Sequence, residues 1–281
     1  ILQAENRVYG HARVLARYAG LEGEPWIAGA LQHGWNPFDG IGAFDGLWRT
    51  SVPKLTWSES AAERGRELGG VGYTPIGAPW LYLLRQFPAM KALPAAESTL
   101  VYPHHTTVHD ELVGDHAAFA RDLAQCEMGT PVTVCLHPVD FAHASSRAAY
   151  EDVGFPVICH GGSSAFDPHH TGFLDRQLQE MSRHSRVVSN RLSTAVLYAA
   201  AAGREVGVYG PDMSTAGQRS YAQTEIPAVW PALHSHRVSA ADAWHTASVE
   251  LGEASLRDPE ELREILGWST QHGLSKAHAA R

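Results

Sequence analysis

Residues 187–210 read VVSNRLSTAVLYAAAAGREVGVYG, and this stretch decides the fold class. A short apolar strand leads through a polar turn into a helix made almost wholly of small apolar residues. Gly203 is a typical helix end, and the apolar run at 206–209 predicts a second strand that is covered on both faces. A strand, a helix and a strand in this order indicate a βαβ unit of a parallel sheet.

The polar start of this helix is suited to bind an anion. The first backbone N–H groups of a helix lack intrahelical partners, and the helix dipole favours negative charge there. Four side chains that form hydrogen bonds surround this start: Ser189, Asn190, Ser193 and Thr194. The segment alone leaves two interpretations open, a phosphate site or a plain N-cap at Ser189 or Ser193.

The same alternation of strand and helix patterns covers residues 99–210. Apolar runs predict strands at 99–102, 132–136, 156–159, 187–189 and 205–209, with helices between them. Shorter strand patterns stand at 26–31, 54–57 and 73–77, and no strand precedes the first helical pattern, at 7–19. The sequence therefore predicts an α/β fold with two Rossmann-like domains facing a cleft, of which the N-terminal domain is short.

Proline and alanine at 86–98 indicate a linker, which sets the predicted boundaries. We expect a short N-terminal Rossmann-like domain at 1–90, a linker at 91–98, a second Rossmann-like domain at 99–238, and C-terminal helices with a tail at 239–281. Asp258-Pro259-Glu260-Glu261 predicts the start of the last helix, because it combines an N-cap residue, a first-turn proline and first-turn acids.

Composition limits the function classes. The 281 residues are 44% hydrophobic and carry a net charge of −8, which offers no basic surface for nucleic acid. The three cysteines follow no zinc-site or disulfide spacing, and no signal peptide or membrane-spanning segment is evident. We expect a cytoplasmic protein without a cofactor, and the absence of an initiator methionine indicates a trimmed chain.

Polar residues follow every predicted strand, and four of these strand ends carry histidine: His33, His104 with His105, His137 and His160. Ligands of open parallel sheets bind beyond the carboxyl ends of the strands, so we expect a binding site there. A histidine at such a place is more often structural than catalytic, and a metal site is the competing interpretation. No HxH or HExxH spacing supports a metal, so none is predicted.

Several of these motifs resemble those of GT-B glycosyltransferases, in particular the bacterial branch of sialyltransferases, Kdo transferases and teichoic-acid glycerophosphate transferases. His137-Pro138 resembles their HP motif, and Ser193-Thr194 resembles their Ser-Ser/Thr motif. Gln32-His33-Gly34 is similar to a His-Gly element, and residues 75–79 stand where that group has a Gly-Pro turn. The acidic element that usually supplies the base in sialyltransferases has no clear counterpart here.

The resemblance implies transfer of a sugar from a nucleotide-activated donor to a small-molecule or glycan acceptor, without a metal ion. The domain at 1–90 would then bind the acceptor, and the domain at 99–238 would bind the donor. His33 is then the expected base, with Asp39 and Asp45 as alternatives. The aromatic loop that follows His33 either stacks on the acceptor or packs on the core, and its candidates are Trp35, Phe38 and Trp48. The donor-side candidates are His104, His105, Thr106, His137, His160, Ser189, Asn190, Ser193 and Thr194, with Arg191 as a further cation.

Two other functions stay open at this point. One is a GT-B-like nucleotide-sugar epimerase or hydrolase, which would keep the phosphate site and lack an acceptor site. The other is a nucleotide-binding protein without catalytic activity. Polysaccharide biosynthesis and secondary-metabolite glycosylation are both compatible with the sequence.

Overall fold

A computed structural model describes residues 2–37, 50–92, 96–105, 112–162, 170–215 and 225–269. The chain divides into two compact units. The first unit contains Ile1–Phe87, Ser163–Leu174 and Ser248–Arg281, and the second contains Pro88–Gly162 and Asp175–Ala247. Parallel sheets and many helices confirm the predicted α/β class.

The second unit is built on a five-stranded parallel sheet. Its strands are β4 (Ala96–Val101), β6 (Val132–Cys135), β7 (Val157–Ile158), β8 (His184–Ser189) and β9 (Glu205–Val208). Their order in the sheet is β7-β6-β4-β8-β9, with all neighbours parallel. Counted along the unit this is 3-2-1-4-5, the order of a doubly wound Rossmann sheet. The order in which successive strands join the sheet therefore reverses between β4 and β8, and such sheets bind ligands at this point.

Helices fill the connections of this sheet: α6 (His116–Cys126), α7 (Pro138–Ala142), α8 (Ala144–Glu151), α9 (Phe173–Met181) and α10 (Thr194–Ala201). The apolar core lies between the strands and α6 and α8, with Val101, Val134 and Val188 against Phe119 and Tyr150. Helix α10 is buried from Val196 onward, which explains its small apolar residues, while its first turn is half-exposed. A two-stranded antiparallel pair, β5 (Leu112–Val113) and β10 (Ser214–Thr215), joins the segments beyond β4 and β9.

The first unit contains a three-stranded parallel sheet in the order β1 (Ala30–Leu31), β2 (Lys54–Thr56) and β3 (Tyr73–Pro75). The helices α1 (Leu2–Asn6), α2 (His11–Tyr18), α3 (Glu59–Glu67) and α4 (Pro79–Gln86) accompany it. Gln32 joins the carboxyl ends of β1 and β2, since its side-chain oxygen accepts from the Trp57 N–H at 2.9 Å and its carbonyl accepts from the indole at 2.9 Å.

Some elements differ from the sequence prediction. Residues 86–98, interpreted as a linker, contain α5 (Pro88–Ala92) and the start of β4 at Ala96. The sequence did not predict α4 and α5 because each begins with a proline. Proline usually ends a helix, but it is compatible with the first position of one. The segment after Gly210 contains β10 and α11 (Glu225–Val229), and neither was among the predicted elements. The last two helices, α12 (Ala240–Glu250) and α13 (Pro259–Ile265), are confirmed, and Asp258 forms a capping box with Glu261.

Candidate functional site

The carboxyl ends of β4 and β8 come together at a small polar cluster. The backbone N–H of His104, beyond β4, donates to the Asn190 side-chain oxygen, beyond β8, at 2.8 Å. The Asn190 amide in turn donates to the carbonyl of Pro211, beyond β9, at 3.0 Å. Asn190 therefore holds three loops at the place where the strand order of the sheet reverses.

Arg191 adds a cation to this cluster. Its Nη1 donates to Nε2 of His104 at 3.1 Å and to the carbonyl of Met213 at 3.3 Å, and the residue is 6% exposed. Gly210 makes this arrangement possible, because it has φ +113 and a Cβ there would lie 2.6 Å from the Phe119 ring. Positive charge and hydrogen-bond donors thus meet at the sheet edge where phosphate groups bind in this topology.

His105 and His137 form a second part of the cluster. Their rings are stacked with centroids 4.2 Å apart and planes at 11°, which joins the loops beyond β4 and β6. His137 is the N-cap of α7, and its Nδ1 accepts a long hydrogen bond of 3.4 Å from the Val139 N–H. Burial lowers the pKa of His137 to about 3, with His105 as the second cause. A neutral His137 whose Nδ1 accepts carries its proton on Nε2.

Helix α10 begins at this edge as well. Ser193 is its N-cap residue in an extended conformation, but its side chain makes no capping hydrogen bond. Ser193 and Thr194 are both half-exposed, unlike the helix body. The hydroxyl of Ser193 therefore does not cap the helix, although the sequence left a plain N-cap at this residue open.

Other donor-side candidates have structural contacts. Ser189 is 1% exposed, and its hydroxyl accepts from the Arg191 N–H at 3.3 Å. His160 is 6% exposed, and its Nε2 lies 2.8 Å from the Tyr102 hydroxyl. Burial lowers the pKa of His160 to about 4. Ser189 and Asn190 thus position the backbone around the site, whereas the imidazole of His160 contacts the Tyr102 side chain.

The sequence interpretation missed a polar pair in the same unit. His116 begins α6, and its Nδ1 lies 2.8 Å from the hydroxyl of Tyr150 in α8. The charge of His116 contributes to the lowered pKa of His104, after burial, Arg191 and His105. His116 stands fifteen positions after the end of β4 in an ordinary helix, so only the tertiary contact identifies it.

In the first unit, His33 follows β1 and is half-exposed. Trp35 is 5% exposed, and its indole donates to Glu250 at 2.8 Å, while Arg64 pairs with the same carboxylate at 2.5 Å. An acceptor could reach little of the Trp35 ring, so we assign this residue to the core. The candidates Asp39, Asp45, Phe38, Trp48 and Thr106 lie outside the described residues.

His11 is a buried histidine of the same unit. It is 1% exposed, and among the described residues neither of its ring nitrogens has a hydrogen-bond partner. Burial lowers the pKa of His11 to about 3, and the charge of His33 contributes. Within the described ranges, no three histidine, cysteine or acidic side chains are grouped to hold a metal ion, and no helix could span a membrane.

The buried histidines make the stability of the fold dependent on pH. The folded-state pKa values of His11, His104, His137 and His160 lie at about 2 to 4, below the value near 6.5 in an unfolded chain. Below about pH 6.5 the unfolded chain therefore binds protons that the folded chain does not. We expect the free energy of unfolding to fall as pH decreases from 6.5, by up to about 1.4 kcal/mol per pH unit for each histidine.

Urea unfolding between about pH 7 and pH 5 measures this slope. A His11→Phe variant should show a shallower slope than the wild type, because it removes one neutral buried imidazole. Equal slopes in wild type and His11→Phe would show that His11 does not contribute.

Comparisons with known proteins give distant similarity. No family model and no curated protein matches the sequence. A UDP-GlcNAc 2-epimerase from Neisseria meningitidis bound to UDP-GlcNAc is 10% identical, over 79% of this chain and 61% of that chain, with a TM-score of 0.38. The wall teichoic acid polymerase TagF is 9% identical, over 81% of this chain and 58% of that chain, with a TM-score of 0.36. The chain thus spans about three fifths of each structure's length.

Proposed function

We propose that the protein is a GT-B-type glycosyltransferase that moves a sugar from a nucleotide-activated donor to a hydroxyl acceptor without a metal ion. The observation that supports this most is the reversal of the strand order between β4 and β8, with His104 and Arg191 in contact there. In open α/β sheets, this position binds nucleotides and their phosphates. The second unit would therefore hold the donor.

The donor phosphate would be bound by a mixture of one permanent charge and several neutral donors. Arg191 supplies the charge, and the hydroxyls of Ser193 and Thr194 stand at the start of α10, where backbone N–H groups favour an anion. Groups that stabilise the departing phosphate lower the barrier when they are already in place. His104, His105 and His137 would complete this environment.

In the first unit, His33 would accept the proton of the acceptor hydroxyl. Imidazole titrates near neutral pH, which suits a general base, and His33 is half-exposed at the carboxyl end of β1. Asp39 and Asp45 are the alternative bases. The acceptor would be a small molecule or a glycan, as in polysaccharide or secondary-metabolite biosynthesis.

A nucleotide panel tests the donor site. Thermal unfolding would be followed with CMP, CDP, UDP and GDP and with the corresponding nucleotide sugars. Each compound that binds would then be used at a concentration of about 100 times its Kd. One of them is expected to stabilise the protein by about 2.7 kcal/mol, which raises Tm by several degrees. The increase should be smaller for His137→Ala and Ser193→Ala, and unchanged for His245→Ala at an exposed position.

If no nucleotide raises the Tm of the wild type, the donor-site proposal is wrong. For a nucleotide that does bind, its nucleotide sugar would be the substrate, and the free nucleotide released from it would be measured. The assay would be run with and without acceptors, in the presence of EDTA. Release that depends on an acceptor supports transfer, whereas release without any acceptor supports hydrolysis instead.

A further inference from the structure

The contact between Arg191 and His104 fixes the proton position on the histidine ring. A guanidinium group only donates hydrogen bonds and stays charged, so Nε2 of His104, 3.1 Å from Arg191 Nη1, must accept. An imidazole whose Nε2 accepts cannot be doubly protonated. His104 is therefore neutral and carries its one proton on Nδ1.

The surroundings of His104 maintain this state. Burial lowers the pKa of His104 to about 2, and the neighbouring Arg191, His105 and His116 lower it further. The nearest acids act on its neighbours, since Asp212 faces Arg191 and Asp140 with Asp115 faces His116. No change of protonation at His104 is thus expected across the neutral pH range.

The Nδ1–H group is a donor at the edge of the sheet. The backbone of His104 is fixed there by its 2.8 Å hydrogen bond to Asn190, and the residue is only half-buried. Across the part of the chain that the structure describes, no acceptor contacts Nδ1. A fixed donor without a protein acceptor, beside a buried cation, is the arrangement that an anionic oxygen would complete.

We propose that His104 binds the ligand's phosphate as a neutral Nδ1–H donor, in the tautomer that Arg191 selects. This inference rests on the proposed function, because it assigns one contact within the proposed phosphate site. The histidine acts through a directed hydrogen bond, and Arg191 acts both as a charge and as the group that orients the histidine proton.

A pair of substitutions separates this role from a structural one. His104→Asn places an amide N–H near the position of Nδ1, whereas His104→Gln places its amide near Nε2 and can still accept from Arg191. We expect His104→Asn to keep the affinity for inorganic pyrophosphate within about threefold. His104→Gln should lose about tenfold or more, the value of a hydrogen bond to a charged group.

Calorimetric titration with pyrophosphate measures both affinities, and circular dichroism with thermal unfolding checks that both variants fold. If His104→Gln binds pyrophosphate as tightly as His104→Asn does, or more tightly, then the contact to Arg191 matters and donation from Nδ1 does not. That result would overturn the inference. If wild type and all variants bind neither pyrophosphate nor any nucleotide of the panel, the proposed function fails together with it.

Long-range ¹⁵N–¹H spectra of histidine-labelled protein report the tautomer without any ligand. We expect the Nδ1–H form of His104 between about pH 5.5 and pH 8, and a shift of its resonances on addition of pyrophosphate. An Nε2–H form would overturn the inference even where pyrophosphate binds. Binding that leaves the His104 resonances unmoved would also overturn it, while leaving the proposed nucleotide site intact.

Discussion

Replacing Arg191 by methionine is expected to weaken binding of the nucleotide donor about 100-fold. The substitution removes the permanent charge beside His104 and the donor that holds the histidine tautomer. A hydrogen bond between charged groups contributes up to about 3 kcal/mol, and 1.4 kcal/mol corresponds to about tenfold in Kd. Calorimetric titration with the nucleotide that stabilises the wild type measures the change.

Arg191→Lys is the matched control, because it keeps the charge and loses the planar geometry. It should bind more tightly than the methionine variant and more weakly than the wild type. Thermal unfolding must accompany both, since Arg191 also donates to the carbonyl of Met213 at 3.3 Å. Wild-type affinity in a folded Arg191→Met variant would contradict a phosphate site at this edge.

Replacing His33 by alanine is expected to lower kcat about a thousandfold while the Kd of the donor stays unchanged. General base catalysis contributes about 10² to 10⁴ in rate, and the donor contacts proposed above belong to the second unit. Nucleotide release in the presence of an acceptor gives kcat, and calorimetry gives the donor Kd.

The control for this prediction is His245→Ala, which removes an exposed histidine. Turnover of His33→Ala at the wild-type rate would exclude His33 as the base, and Asp39 and Asp45 would be replaced next. Loss of donor binding together with turnover would indicate instead that the substitution disturbs the fold.

The strands of the second unit were predictable because each is a short apolar run with polar residues directly after it. Their order in the sheet was not, since it depends on pairing between strands far apart in the chain. The helices α4 and α5 were missed for a local reason. Each begins with a proline, which ends a helix in most positions and is tolerated at the first one.

For the site, the sequence indicated which residues follow the strands, but not where their side chains make contacts. Asn190 was a candidate for donor binding, and Trp35 was left open between the acceptor and the core. The structure adds protein contacts for both, since the Asn190 side chain joins three loops and the indole of Trp35 donates to Glu250. These contacts join residues 21 to 215 positions apart, and no local pattern records them. The pair of His116 and Tyr150 was missed for the same reason.

The most direct test of the donor-site assignment is a crystal structure of the protein with the nucleotide that stabilises it. We expect a phosphate oxygen within hydrogen-bond distance of Nδ1 of His104, with Arg191 beside it and the start of α10 facing the same phosphate. A nucleotide whose phosphate lies away from the carboxyl ends of β4 and β8 would contradict the account.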